Sequence, residues 1–159
     1  YNPNIFPESE YTKRILEQQI LIGEMKGKHP SLLLRAIMTG EFYELAKGLE
    51  HLKEGGERCF KCYALRLEET ARMAKEAEFD YFTTTLTISP MKNAKAETIG
   101  AKIGEKYGVK YLQSDFKKKN GYKRSIELSN EFGLYRQDYC GCEFSVRDRK
   151  QESTGIKKK

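Results

Sequence analysis

Asp80-Tyr81-Phe82-Thr83-Thr84-Thr85-Leu86-Thr87-Ile88 is the stretch on which the fold of this chain turns. It is dense in aromatic and β-branched residues, which suit a pleated, half-buried surface, and Ser89-Pro90 closes it. A strand is predicted there. On its N-terminal side, residues 59–77 place Leu67, Ala71 and Ala74 at three- and four-residue steps, the period of an amphipathic helix. On its C-terminal side, residues 93–107 are predicted as a helix, Val109-Lys110-Tyr111-Leu112 as a second strand, and residues 122–132 as a further helix. Upstream, residues 9–25 read as a helix with Ser9 as N-cap and Tyr11, Ile15 and Ile22 near one stripe. Residues 32–37 read as a short buried strand, with a helical turn as the alternative. Thr39 reads as the N-cap of a helix reaching about residue 49. Strands alternating with helices of this length imply parallel βαβ units, and so a single α/β domain.

The bounds agree. A chain of 159 residues fits one domain with a substantial core. Charged residues make up 33% of it, and no apolar run approaches the roughly 18 residues of a membrane span. No basic-then-apolar leader is visible, so a cytoplasmic protein is the expectation, with no membrane partner. The formal charge of +6 and pI near 9.0 point to an anionic partner. Lys117-Lys118-Lys119-Asn120-Gly121-Tyr122-Lys123-Arg124 concentrates that charge, and such a run neutralises phosphates while an aromatic ring stacks on a base. A solvated loop and helix start is the plainer reading of the same run. The terminal Lys157-Lys158-Lys159 reads as a frayed tail.

All the cysteines of the chain lie in two close pairs, Cys59-Phe60-Lys61-Cys62 and Cys140-Gly141-Cys142. In a chain with no secretory signal, such pairs read as metal-binding or catalytic rather than as staples. A helix opening at Cys59 puts Cys62 one turn on, on the same face, and the helix N-terminus is expected to lower the thiol pKa, with Arg58 adding positive charge. Gly141 permits the backbone that a tight Cys140–Cys142 ring needs, and a short, strained disulfide suits electron relay better than bracing. One shared tetrahedral zinc, a thioredoxin-like redox site, an iron–sulfur centre and separate buried thiols all remain compatible with these spacings. His29 and His51 sit at no ligand spacing. No phosphate loop or nicotinamide or flavin fingerprint is present. Two loops, 87–93 and 114–117, follow the predicted strands, where open parallel sheets usually bind ligands.

Beyond these general signals, five segments together resemble one family. They are Tyr1-Asn2-Pro3-Asn4-Ile5, Gly56-Glu57-Arg58-Cys59-Phe60-Lys61-Cys62-Tyr63, Thr83-Thr84-Thr85-Leu86-Thr87-Ile88-Ser89-Pro90, Ser114-Asp115-Phe116-Lys117-Lys118-Lys119-Asn120-Gly121-Tyr122, and Tyr135-Arg136-Gln137-Asp138-Tyr139-Cys140-Gly141-Cys142. In that order they resemble the QueH family, the cobalamin-independent epoxyqueuosine reductases. The resemblance implies two-electron removal of the epoxide oxygen of epoxyqueuosine at the tRNA wobble position, giving queuosine. It implies a [4Fe-4S] cluster with an additional non-haem iron, tRNA as partner, and an external electron donor. By motif, Cys59 and Cys62 correspond to cluster ligands, and Cys140 and Cys142 to a redox-active pair.

The resemblance further implies a Rossmann-like (HUP-like) parallel sheet with flanking helices over residues 1–145, residues 146–159 forming a basic tail. The family opens on a strand ending in a vicinal Cys-Cys motif that supplies the other two cluster ligands. The chain starts after that point, so it is expected to be a fragment lacking the N-terminal β-α-β portion. Asp138 beside the cysteine pair is a candidate proton donor, as is Tyr139; a strand-end carboxylate and a packed aromatic are the plainer readings. Lys117, Lys118, Lys119, Tyr122, Lys123 and Arg124 are the candidate tRNA contacts. The rival functions are a zinc-stabilised RNA-binding module, using the same cysteines structurally, and a metal-free thiol oxidoreductase.

Overall fold

Leu67, Ala71 and Ala74, whose spacing predicts a buried helical stripe, are all buried at the centre of the main core, with Phe82, Ile103 and Val109 around them. The computed structural model describes residues 2–24, 39–88, 93–137 and 139–155. In chain order the helices and strands are α1 (Glu8–Glu24), α2 (Thr39–Ala46), α3 (Glu57–Glu76), β1 (Tyr81–Phe82), α4 (Asn93–Tyr107), β2 (Lys110–Tyr111), α5 (Gly121–Glu131) and α6 (Glu143–Gly155). A 3-10 turn at Thr85–Ile88 follows β1. The described residues thus form a predominantly helical α/β domain with one two-stranded sheet. No helix among them is long and apolar enough to cross a membrane.

β1 and β2 pair in parallel, Tyr81 opposite Lys110 and Phe82 opposite Tyr111, with α4 as the crossover between them. This is the βαβ unit the alternating pattern predicts. α4 comes close to the sheet at two glycines. A Cβ on Gly100 would lie 2.4 Å from the Tyr111 ring, and one on Gly104 would lie 2.8 Å from the Val109 carbonyl oxygen. Glycine is needed at both because the helix backbone itself is the contact surface. Tyr111 closes the contact by donating its hydroxyl to Glu97 Oε1 at 3.2 Å, and its ring meets Phe82 edge-on at 5.2 Å. Burying Leu67, Phe82 or Ile103 in this core stabilises by about 1.5–3 kcal/mol each.

The strand predicted over residues 80–88 is cut to two residues, and the threonines explain why. Thr84 Oγ1 accepts the Leu86 N–H at 3.2 Å and starts the 3-10 turn, a local bond that competes with a ladder bond. Thr83 Oγ1 donates to the Leu112 carbonyl at 2.8 Å, and fully buried Thr87 donates to the Ser114 carbonyl at 2.7 Å. The hydroxyls thus join the ends of the two strands in place of a longer sheet.

α4 occupies the predicted residues, and α1, α3 and α5 begin one or two residues early. Ser9 lies inside α1 rather than at its cap: the Pro7 carbonyl already accepts the Glu10 and Tyr11 amides. α2 starts at Thr39 and stops at Ala46, short of residue 49, before Gly48 at φ +77°. The predicted strand at residues 32–37 lies outside the described residues, as do His29 and Lys157-Lys158-Lys159. α6, within a stretch read mostly as a tail, was not anticipated as a helix.

Candidate active site

Gly56 caps α3 with an extended backbone, its carbonyl accepting the amides of Cys59 (2.9 Å) and Phe60 (3.2 Å). This puts Cys59 and Cys62 in the first turns, both buried. Cys59 Sγ accepts the Gly55 N–H at 3.2 Å. Here the expected lowering by the helix terminus is overturned. Burial pushes the Cys59 thiol up, outweighing the Gly55 amide and the nearby Arg58.

Arg58 does not point its fork at sulfur. Wholly buried, it donates Nη1 to the carbonyls of Leu49 (3.2 Å), Glu50 (3.1 Å) and Leu52, and lies 4.5 Å from the centre of the Phe144 ring. Arg147 of α6 donates to the same Glu50 carbonyl at 2.7 Å. The start of α3 is thereby fixed against the start of α6, where the second cysteine pair sits.

Cys142 is the residue before α6, its carbonyl accepting the amides of Ser145 (3.1 Å) and Val146 (3.2 Å), and its Sγ accepting the Ser145 amide at 3.4 Å. Its side chain is buried in a cluster with Phe42, Ala46, Cys62 and Phe144, and Cys140 packs against that cluster. The two cysteine pairs, far apart in sequence, therefore meet. None of the four is joined in a disulfide. The Cys142 thiol is held well above the ordinary range by its hydrogen bond with Cys140 and then by burial. Tyr63, one residue after Cys62, is buried and its hydroxyl pushed up, first by burial and then by Cys59, Cys140 and Cys62.

Sequence reasoning missed the residues that hold this loop. Asn4 Nδ2 approaches Cys140 Sγ at 3.7 Å, and Asn4 Oδ1 is buried without a hydrogen-bond partner among the described residues. Arg14 of α1 donates to the carbonyls of Cys140 and Tyr139. Only Asn4 left a trace in the sequence, as part of the opening motif. Asp138 lies outside the described residues. Tyr139 has the guanidinium groups of Arg14 and Arg149 at 5.5 and 5.6 Å from its ring. Together with Val146, Arg149 and Lys150 it lines an open cleft of about 470 Å³.

Among the described residues no group of three or more His, Cys, Asp or Glu side chains is placed to hold a metal ion. Cys59 and Cys62, about one helical turn apart at the start of α3, have the soft-donor chemistry a metal centre needs, and Cys62 also packs in the apolar cluster.

The basic run divides. Lys117 is half-buried, with Nζ 3.2 Å from Asp115 Oδ1 and donating to the Thr87 carbonyl at 3.3 Å. Asp115 is held below its usual range: desolvation, which raises it, is outweighed by the Lys117 amide and ammonium and by Lys118. Arg124 pairs with Glu127 (3.3 Å) and Glu131 (3.7 Å). Lys118, Lys119, Tyr122 and Lys123 are exposed. The predicted loops at 87–93 and 114–117 are joined where they are described, through Thr87 and Ser114.

The family model for "Epoxyqueuosine reductase QueH" matches residues 1–148. An epoxyqueuosine reductase QueH from Streptococcus pyogenes serotype M1 is 40% identical, the alignment covering 99% of this chain and 63% of that protein. The protein of that name from Thermotoga maritima is 38% identical over 100% of this chain and 83% of its own length. The one from Helicobacter pylori is 38% identical over 95% of this chain and 42% of its own length. The chain thus spans less than two thirds of several curated relatives, while its own residues are matched almost from end to end. It belongs to the epoxyqueuosine reductase QueH family.

Proposed function

We propose that this chain is the part of an epoxyqueuosine reductase that carries the redox cysteine pair and half of the cluster ligands. The reaction is removal of the epoxide oxygen from epoxyqueuosine at the tRNA wobble position. Two C–O bonds break, an alkene forms, and two electrons with two protons take the oxygen away as water. The observation that carries this reading is the meeting of Cys62 with Cys140 and Cys142 in one buried cluster.

In this reading Cys59 and Cys62 would hold two corners of a [4Fe-4S] cluster, which would work together with an additional non-haem iron. When bound, such a centre supplies Lewis acidity toward an epoxide oxygen and a path for electrons. The chain's own residues do the rest. Cys140 and Cys142 give up two electrons and two protons as they close into a disulfide, matching the demand of one turnover, and an external reductant reopens them. Tyr63, kept protonated by burial, bounds the site on the α3 side, and Asp138, next but one before Cys140 in sequence, is the candidate proton donor. The apolar wall of Phe42, Ala46 and Phe144 keeps water from the sulfurs.

The exposed Lys118, Lys119, Lys123 and Tyr122 contact the tRNA, and Lys117 and Arg124 shape the surface that carries them. β1, α4 and β2 belong to a Rossmann-like (HUP-like) parallel sheet spanning residues 1–145, with 146–159 as a C-terminal extension. The parallel pairing through α4 supports this.

The test is made at the full length of the relatives. Iron, zinc and acid-labile sulfide are measured in anaerobically purified protein, and tRNA nucleosides are analysed after incubation with a reductant. Iron with matching sulfide and conversion to queuosine supports the proposal. Stoichiometric zinc without sulfide would replace it with the zinc-stabilised RNA-binding module.

A further inference from the structure

Four consecutive backbone carbonyls around the cysteine pair are each held by a donor from elsewhere or from the next helix. Arg14 Nη2 donates to the Tyr139 carbonyl at 3.5 Å and Nη1 to the Cys140 carbonyl at 3.2 Å. The Phe6 amide donates to the Gly141 carbonyl at 2.8 Å. The amides of Ser145 and Val146, with Ser145 Oγ at 2.8 Å, take the Cys142 carbonyl. Besides the guanidinium, the donors are three backbone amides and the buried Ser145 hydroxyl. The guanidinium alone arrives on a long side chain from another helix.

The placement of Arg14 is itself constrained. Its Nε is paired with Glu10 Oε1 at 2.8 Å, so its charge is balanced before it reaches the loop. α1 has no buried residue, and its Leu16 and Ile20 are exposed. Polar contacts bring it to this segment instead: Glu17 accepts the Tyr135 amide at 2.9 Å, Glu10 accepts the Tyr135 hydroxyl at 3.2 Å, and Lys13 lies 3.4 Å from the Tyr135 ring centre. On the loop side, Gly141 has φ +98°, and a Cβ there would lie 2.8–3.0 Å from the Arg14 guanidinium. The guanidinium thus packs against residue 141 too closely to leave room for a side chain there.

We infer that Arg14 is a positioning residue for the Cys140/Cys142 couple, holding the loop so that the two sulfurs lie together and favouring their closure into a disulfide. The inference rests on the redox role proposed above for this pair. Arg14 touches the carbonyls of the loop and not its sulfurs, so it acts by limiting the conformations open to the two thiols. An intramolecular disulfide is favoured in proportion to the effective concentration of one thiol at the other. In the step concerned, the two thiols lose two protons and two electrons and one S–S bond forms. Glutathione disulfide accepts them, its own S–S bond breaking to give two glutathione thiols.

The test is the equilibrium between dithiol and disulfide in anaerobic glutathione buffers of stepped composition. Differential alkylation and peptide mass spectrometry read Cys140 and Cys142 separately from Cys59 and Cys62. In Arg14→Met, which keeps the aliphatic stem and the helix, the equilibrium constant for closing the pair is expected to fall about tenfold, the scale of one charge-assisted hydrogen bond. That is about 30 mV toward easier reduction for a two-electron couple. Arg14→Lys is expected to recover less than half of the loss, because one ammonium cannot span both carbonyls. Gly141→Ala provides a second variant: it leaves α1 intact and pushes the guanidinium off the loop, and the same direction of shift is expected. A folded Arg14→Met or Gly141→Ala protein with the wild-type constant would overturn the inference. If wild-type protein forms no Cys140–Cys142 disulfide at any poise, the redox role of the pair falls first, and the positioning role with it.

Discussion

The guanidinium of Arg58 lies 4.5 Å from the centre of the Phe144 ring, while its Nη1 takes three carbonyls of the loop between α2 and α3. One side chain thus ties the turn before the first cysteine pair to the helix that follows the second. Arg58→Met removes all three bonds, taking from the Leu52 carbonyl the donor described here while Glu50 keeps Arg147 and Leu49 keeps the Leu52 amide, and it removes the contact with Phe144. Destabilisation of about 2–4 kcal/mol is expected, from lost charge-assisted hydrogen bonds and an unsatisfied acceptor. Urea unfolding of metal-free protein checks it. Combining the change with Phe144→Leu gives a double-mutant cycle, in which a coupling of about 0.5–2 kcal/mol reports the cation–ring contact.

The cysteine pair is expected to separate single from multiple turnover. Cys142→Ser removes one of the two electron-donating sulfurs while keeping an acceptor for the Ser145 amide. The first turnover of a pre-reduced enzyme is expected to survive, and steady-state turnover with a thiol reductant to fall by at least about a hundredfold, in the range lost with an activated nucleophile or acid. Rapid-quench analysis of the tRNA nucleosides distinguishes the two. Sustained turnover in this variant would remove the pair from the electron path.

The basic run predicts two different phenotypes. Replacing Lys118, Lys119 and Lys123 together with Ala is expected to weaken tRNA binding and to reduce the slope of log affinity against log salt by about two to three, since each phosphate contact releases about one counterion. Lys117→Ala is expected to act chiefly on stability, because Lys117 is committed to Asp115 and the Thr87 carbonyl. Filter binding across a salt series, beside thermal unfolding of both variants, makes the comparison.

Stability of the metal-free, reduced protein is expected to fall on the alkaline side. Cys59 and Cys142 both have folded pKa values raised by their surroundings, and so do Tyr63 and Tyr111. A raised folded pKa means the unfolded state loses its proton first. The stabilisation is therefore complete below the ordinary thiol pKa of about 8.5 and is lost as pH rises above it, the tyrosines adding their share from about 10. Urea midpoints at about pH 7 and 9.5 should differ in that sense, and Cys142→Ala should make the difference smaller.

How far the sequence discloses this arrangement depends on where each bond is made. Helices α3 and α4 were legible because their apolar residues recur at the helical period and face a common core. β1 was over-read because β-branching favours a strand, while the threonine hydroxyls, invisible to that rule, take backbone partners of their own. α6 escaped because its sequence is mostly polar; among its described side chains only Phe144 and Ser145, in its first turn, are buried. The cysteines announced themselves by spacing. Arg14 could not, because its partners lie 125 and 126 residues away and α1 offers no buried stripe to mark the docking face. Long-range polar contacts to backbone carry no periodicity.

Arg58 and Arg147 reach the loop before α3 through its carbonyl oxygens, at Leu49, Glu50 and Leu52. A carbonyl is the same chemical group whatever residue bears it. The bonds therefore place no demand on which side chains stand at those three positions, and substitutions there leave the acceptors intact. The demand falls wholly on the donor, for which lysine is no equal because it cannot also lay a flat guanidinium against the Phe144 ring. Mutational tolerance around the first cysteine pair should accordingly be lopsided: a permissive loop, closed by an arginine that admits no replacement.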